Sequence, residues 1–424
     1  MKYVWNIRRL IMKTLLYFIV FLSVCYGTLS AQEKQGSAGF DHGFYIRSAD
    51  GSFVFRPFGL IHTDLRINNY GRQINSDDTQ ASTFLVRRLR IGFEGQLYNW
   101  IDYDLETNVG EGGAELIFAY MNLRYNQKAQ VRIGQFKEPF SYEVLLPEKY
   151  LDFIERSIVA TVISPAEDIG VMVHNYGTPL GGYFEYGIGM FNGLGASTVK
   201  NDPDKSFEYA GRIALYPFAP SRHEWLKNLR IAGYTLFEDN RPEDVDIRPR
   251  TPLGFEFFPR IPTKGRRFAL GGDVQLMYGP FSAKAEYIRN VEDVSDFSNV
   301  EAVTSGWHID VTYLLMGEEK TRAMESGYEL AARIEQLRAD AGTMIILDGY
   351  TDTRGNPIVM QKNDVTMMTI GLNKYLNYNL KLQINYQVDW FGNSKFTPTS
   401  RADNVLESSS TTRHKLLTRI QLYF

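Results

Sequence analysis

The side chains best equipped for chemistry in this sequence are cations spaced two apart. Arg88 and Arg90 stand in Phe84-Leu85-Val86-Arg87-Arg88-Leu89-Arg90-Ile91-Gly92-Phe93-Glu94-Gly95, where Leu89, Ile91 and Phe93 alternate with charged residues. In an extended chain successive side chains leave on opposite faces, so the two guanidinium groups project from one face. Arg56 and Arg66 share such a face with His62 and Asp64 within residues 52–67. Arg132 stands in residues 129–137, Lys137 closes that segment, and Lys149 and Arg156 fall in the stretch beyond it. Guanidinium groups offer paired N–H donors that match carboxylate and phosphate oxygens, so the chemistry these residues could do is anion binding. The plainer use of each is charge on a wetted face.

Catalytic constellations are missing. His42, His62, His174, His223, His308 and His414 are scattered singly, none has metal-ligand spacing, and no glycine-rich phosphate loop occurs. His308 and Asp310 project from one face about 6–7 Å apart along a strand, the spacing of a mutually satisfied pair. Asp77-Asp78 and Glu238-Asp239 could take up Ca²⁺ weakly through carboxylates, with solvated loop charge as the simpler reading. Cys25 is the single cysteine, which excludes a cysteine metal site. No catalytic residue, metal centre or cofactor is therefore expected.

The elements that position the cations are strands. The last stretch, residues 413–424, places Leu416, Thr418, Ile420, Leu422 and Phe424 on one face and Lys415, Leu417, Arg419, Gln421 and Tyr423 on the other. An apolar outer face with a polar inner face suits a barrel wall between lipid and water. At the other end, Lys2, Arg8, Arg9 and Lys13 precede an apolar run from Leu15 to Cys25 and small residues at Gly27, Ser30 and Ala31. That is the pattern of a secretory signal, residues 1–31, too short for a spanning helix. Its removal takes away four basic residues and no acidic one, so 46 basic against 49 acidic becomes 42 against 49, a net charge of −7. Such a balance argues against nucleic acid as a partner. Aromatics make up 14% of the chain, which fits strands flanked by aromatic girdles.

Alternating segments number sixteen: 52–67, 83–97, 101–106, 114–125, 129–137, 168–175, 182–191, 207–216, 228–237, 267–278, 280–290, 304–315, 327–337, 364–375, 378–390 and 413–424. Residues 327–337 have helical propensity as well, but Tyr328, Leu330, Ala332 and Ile334 also alternate with Glu329, Ala331, Arg333 and Glu335. The expected architecture is all-β: a transmembrane antiparallel barrel over residues 51–424, preceded by a periplasmic segment, 32–50. Connections alternate between short and long, as expected of two unlike rims. The longest, 138–167, carries Val144, Leu145, Leu146, Leu151, Phe153, Ile154, Ile158 and Val159. Those side chains need burial, so this third outer loop is expected to fold into the barrel mouth, with a surface cap or subunit contact as the alternative. Its acidic residues Glu138, Glu143, Glu148, Asp152 and Glu155 are expected to fix it through ion pairs.

The segment 84–95 resembles the porin O and P family, the phosphate- and polyphosphate-selective porins. So do Arg132-Ile133-Gly134-Gln135-Phe136-Lys137-Glu138-Pro139-Phe140-Ser141, Phe153-Ile154-Glu155-Arg156-Ser157, Pro165-Ala166-Glu167-Asp168-Ile169-Gly170-Val171 and Gly189-Met190-Phe191-Asn192-Gly193. Gly306-Trp307-His308, Leu315-Met316-Gly317-Glu318 and Glu329-Leu330-Ala331-Ala332-Arg333 continue the likeness, which covers about residues 50–424. The resemblance implies a sixteen-stranded outer-membrane barrel of a Gram-negative cell, usually a homotrimer, passing small anionic or polar solutes such as phosphate by diffusion. It also implies a constriction lined with arginines and lysines, onto which Arg88, Arg90, Arg132, Lys137, Arg156, Arg56 and Arg66 map as candidates. The predicted lining is mixed, however: Asp64, Asp102, Asp104, Glu106, Asp273, Glu286, Asp310, Glu335 and Asp389 share it, and no strand carries three lumen arginines in a row. A non-selective porin, or a plugged barrel with a structural or adhesive role, stands as the alternative.

Overall fold

Alternation builds one closed sheet. The computed structural model describes residues 36–68, 82–110, 113–193, 195, 206–219, 224–295, 297, 299–316, 319–320, 324, 326–351, 356–392 and 412–424. The signal segment 1–31 and Asp77-Asp78 lie outside the described residues. A hairpin of β1 (Ser37–Phe40) and β2 (Phe44–Arg47) occupies part of the expected N-terminal segment and joins the wall through Ile46–Phe55 and Arg47–Val54. The wall then runs through β3 (Phe53–Asn68), β4 (Thr83–Leu97), β5 (Ile101–Asn108), β6 (Glu115–Leu123), β7 (Gln130–Lys137) and β8 (Glu167–His174). It continues through β9 (Phe184–Phe191), β10 (Glu208–Leu215), β11 (Arg230–Ile247), β12 (Ile261–Tyr278) and β13 (Phe281–Val294). The last strands are β14 (Glu301–Met316), β15 (Gly327–Thr351), β16 (Pro357–Asn377), β17 (Leu380–Phe391) and β18 (Thr412–Tyr423). Every neighbour is antiparallel, and β18 pairs with β3, so β3 to β18 close a ring of sixteen strands. Closure leaves no edge, the condition for crossing lipid with strands. Among the described residues no helix is long and apolar enough to span a membrane.

The seam is fastened by the last residue. Phe424 N–H donates to the Gly59 carbonyl at 3.0 Å, and Gly59 N–H to the Phe424 carbonyl at 2.8 Å. The Phe424 ring lies where a Cβ on residue 59 would be, 2.6 Å from its Cζ, so this approach needs a glycine. Along the wall, exposed apolar side chains alternate with buried polar ones: Ile91 and Phe93 point out while Arg88 and Arg90 point in.

The segment 327–337 is strand, as its period-2 pattern indicates. The wall is taller than the sequence pattern suggests on one side. β11, β13, β15 and β16 reach Ile247, Val294, Thr351 and Pro357, so much of what reads as long outer loops after residues 237, 290 and 337 is strand. These extensions mix polar residues with apolar ones such as Ile247, Val294, Ala339, Ala341 and Met360, which pack into the interior core, so no clean alternation of apolar and polar faces marks them. Glu238 is one casualty: not a solvated loop charge but a fully buried strand residue, with Arg241 Nε 3.6 Å from its carboxylate.

The barrel interior is divided. Residues 248–260, between β11 and β12, turn inward, and Phe255, Phe257 and Phe258 are buried against Ile158, Val159, Leu337, Val365 and Phe391. Asn363 donates to the Phe257 carbonyl at 2.7 Å, and the Phe255 and Phe391 rings meet edge to face at 5.6 Å. The side of the lumen facing β11 to β17 thus contains a packed apolar core. The side facing β3 to β10 keeps polar linings and open volume.

Candidate functional site

Residues 138–166 bring the charges together. Two short helices, α1 (Tyr142–Leu145) and α2 (Ile158–Val162), are capped by Ser141 and Ser157, whose hydroxyls accept from Val144 N–H and Ala160 N–H. Between them an irregular run cannot satisfy its own backbone, and inward-facing wall residues do so instead. Asn385 accepts from Ile154 N–H at 2.8 Å, and Glu335 from Ile158 N–H at 2.5 Å. Arg419 donates to the Ile154 carbonyl, Arg333 to that of Glu155, Arg212 to that of Phe140 and Lys381 to that of Leu151. A segment bonded to β10, β15, β17 and β18 at once lies across the interior.

Its carboxylates sit in cation clusters. Glu155 is the hub of one, 3.0 Å from both Arg66 and Arg419, 3.1 Å from Arg87 and 3.6 Å from Arg88. Burial alone would raise this carboxyl, but Arg87, Arg88, Arg419 and Arg66 hold it well below the usual range. Glu148 is the second hub, 2.8 Å from Arg90 and 2.7 Å from Arg156. Burial opposes its ionisation too, and Arg156, Lys137 and Arg90 overcome that. Asp152 pairs with Lys284 and Lys320, and Glu143 with Arg333. Most partners are wall cations rather than loop cations; Arg156 is the loop's own contribution. Glu138 differs: it is buried beside Glu208, and burial with that neighbouring carboxylate pushes its acid well above the usual range.

The structure therefore gathers Arg66, Arg88, Arg90, Lys137 and Arg156 at the loop and separates Arg132 and Arg56 from them. Arg132 lies 4.6 Å over the Tyr120 ring, in a cavity of about 500 Å³ that Lys137 and Lys149 also line. Arg56 stands at the rim, 5.5 Å over Tyr45 of the N-terminal hairpin. Arg87 was not legible as a site residue, because strict alternation points it outward. A register shift against β3 between His62 and Thr63 places a bulge there, and two consecutive arginines turn to one carboxylate. Arg419, also missed, does sit on the polar face of the last strand, where Asp64 is its partner at 2.6 Å. Beyond the loop a smaller cavity of about 180 Å³ is lined by Arg241, Arg248, Arg250 and Arg267. Burial and the adjacent Arg248 hold Arg250 below the usual arginine range.

His308 bonds to Asp310 at 3.1 Å, as its spacing indicates, and to Glu286 at 3.2 Å. Glu143, Glu286 and His308 approach one another closely enough to share a cation. Their atoms are already engaged: Glu286 accepts from Ser141, Tyr142 N–H and Tyr234, and Glu143 from Arg333 and Ser157 N–H. That set is a clamp between α1 and the wall.

The arrangement is that of a channel constricted by a charged inner loop, and comparison with known proteins decides the family. A family model described as phosphate-selective porin O and P matches residues 59–250 and 260–424. The chain belongs to that family. This porin is 22% identical over 391 residues to Porin O of Pseudomonas aeruginosa, covering 81% of this chain and 84% of that protein. Among solved structures it resembles an anion-selective porin from Comamonas acidovorans (TM-score 0.55, 12% identity, 88% of this chain, 100% of that one). It also resembles the outer membrane channel DcaP of Acinetobacter baumannii (0.54, 12%, 92% and 100%). A third likeness is to the trimer form of OmpT, an outer membrane protein of Vibrio cholerae (0.57, 10%, 88% and 100%). At such identities these likenesses establish the barrel fold. Family and fold together place the porin in the outer membrane as a β-barrel channel.

Proposed function

We propose that this porin passes small hydrophilic anions, phosphate among them, by diffusion along the β3 to β10 side of its lumen. The observation that carries the reading is the cluster at Glu155, where four arginines face two carboxylates, Glu155 and Asp64. Positive charge in excess at a constriction lowers the energy of a passing anion and raises that of a cation. Arg248 and Arg250 on the outer side and Arg132 on the inner side add cations to linings that also carry acids, among them Asp246, Glu292, Asp104 and Glu94. Family membership and the likeness to a Comamonas porin described as anion-selective support the reading. The test is reversal potential across a planar bilayer under a salt gradient. Chloride should carry more current than potassium, and added phosphate should reduce the chloride current. Current carried mainly by potassium would overturn it.

A plugged barrel is the second reading, favoured by the packing of Phe255, Phe257 and Phe258 into the interior. Stepwise conductance increments separate the two, since a plugged barrel gives none.

The functional unit is proposed to be a homotrimer. β5 to β10 are eight or nine residues long, whereas β11 and β12 have eighteen. At about 3.3 Å per residue and a tilt of about 45°, eight residues cover roughly 19 Å, short of the ~25 Å apolar band. A low wall is tolerable where further copies of the chain, rather than lipid, cover it.

A further inference from the structure

The cavity below the inner loop is not shaped for a small inorganic anion alone. Its ~500 Å³ falls in the range of pockets that hold drug-sized molecules. One wall is aromatic. The Phe118 and Tyr120 rings meet edge to face with centroids 6.0 Å apart, as do those of Tyr120 and Phe136, and Leu146 of the loop also lines the cavity. A bare phosphate gains nothing from such a wall, since burying it beside apolar surface costs solvation. Flat rings instead offer stacking area to another ring.

Cations stand at both ends of this aromatic wall, and among the described residues neither makes a direct ion pair. Lys137 is only 7% exposed, lines the cavity and has no carboxylate within 4.0 Å among the described residues; its amino group reaches the Leu146 carbonyl at a long 3.4 Å. It sits 5.8 Å over the Phe118 ring. Arg132 lies over Tyr120 and Phe136, and among the described residues it has no ion-pair partner and its Nε no hydrogen-bond acceptor. Glu148, the nearest counter-charge to Lys137, is already held by Arg90 and Arg156, so an anionic head group could pair with this buried lysine directly. Glu94, Asp104, Glu106, Glu148 and Glu185 share the cavity; Arg90 engages Glu106 at 2.7 Å and Glu148 at 2.8 Å, and Tyr216 donates to Glu185 at 2.6 Å.

We propose that this cavity is a transient binding subsite for organic anions that carry an aromatic ring, with the head group on Lys137 and the ring against Phe118 and Tyr120. The proposal deepens the anion-porin reading and rests on it. The porin would thus retain aryl phosphates or aryl carboxylates longer than inorganic phosphate as they cross.

The test uses the full mature porin in planar bilayers, with phenyl phosphate and methyl phosphate as probes of equal charge. Half-block of the chloride current by phenyl phosphate is expected at a concentration about tenfold lower, from one stacked ring. In Phe118→Leu with Tyr120→Leu the ratio between the two probes should collapse toward one. In Lys137→Gln both probes should weaken together. Open-channel conductance in the same membranes shows that each variant has folded and inserted. Equal block by the two probes in the parent porin would overturn the subsite, as would stronger block by a neutral phenyl glucoside. Reversal potential, recorded in the same experiment, reports separately on the anion reading, so failure of one is not failure of the other.

Discussion

One carboxylate sets the balance of charge where the lumen narrows. Glu155 draws Arg66, Arg87, Arg88 and Arg419 to within 3.6 Å, and that set remains net positive. Replacing it by Gln removes a negative charge without removing bulk. At ~5 Å and the dielectric of water one charge is worth about 0.8 kcal/mol to a passing ion, or about fourfold in partition. Chloride gains and potassium loses by that factor, so Glu155→Gln should raise the chloride-to-potassium permeability ratio by roughly its square, about sixteenfold, read as a shift in reversal potential; an unchanged potential would remove Glu155 from the pathway. Lys149 provides a pH handle nearby. Burial brings its ammonium down to about 8, with Glu94, Glu106 and Asp104 opposing the shift. It lies 3.5 Å over the Tyr423 ring and lines the inner cavity. As pH rises through 8 its charge is lost, so anion preference should fall between pH 7 and 9. Lys149→Met should flatten that profile at the lower value.

At the scale of the element, the inner loop is held by its acids. Glu148, Asp152 and Glu155 are all held below the ordinary carboxylate range, against burial, by Arg156, Lys284 and Lys320, and the four arginines respectively. A carboxyl whose pKa is lower folded than unfolded contributes docking energy that is complete above about pH 4.5 and is lost as pH falls below it. Acidification from pH 7 to pH 3 should therefore loosen residues 138–166 and make single-channel current noisier and larger, reversibly. A quiet, unchanged current at pH 3 would show that the loop is held by its apolar side chains instead. Those side chains were the legible part: Phe153, Ile154, Ile158 and Val159 need burial in any fold. Their partners were not legible, since Arg333 and Arg419 are 178 and 264 residues away from Glu155 and alternation says only that they face inward. The same limit explains why the inward turn of Phe255, Phe257 and Phe258 went unread. A short apolar run between strands looks the same whether it packs inside the barrel or caps its rim. Arg87 was hidden differently, since a bulge breaks the period on which inward and outward are assigned.

For the molecule as a whole, the uneven wall is the feature with consequences. Sixteen strands follow from alternation, but strand height does not, because the extensions mix apolar and polar residues without a regular period. β5 to β10 are low, and their outward side chains include Ile188, Tyr209 and Ile213, all well exposed in the single chain. β14, at sixteen residues, stands on the tall side with Tyr313 pointing out. If three copies meet along the low wall, Ile188 of one protomer faces another copy, whereas Tyr313 faces lipid. Cys25 is the sole cysteine of the sequence, so variants that also carry Cys25→Ser can be read without background. Ile188→Cys treated with a short bismaleimide in native membranes should give covalently linked dimers on a denaturing gel, and Tyr313→Cys should not. The reverse pattern would put the tall wall at the subunit contact and leave the low wall to a thinned bilayer, at a cost for each ångström of mismatch. No linkage at either position, with both variants inserted and conducting, would mean that neither face meets another copy and that the barrel works alone.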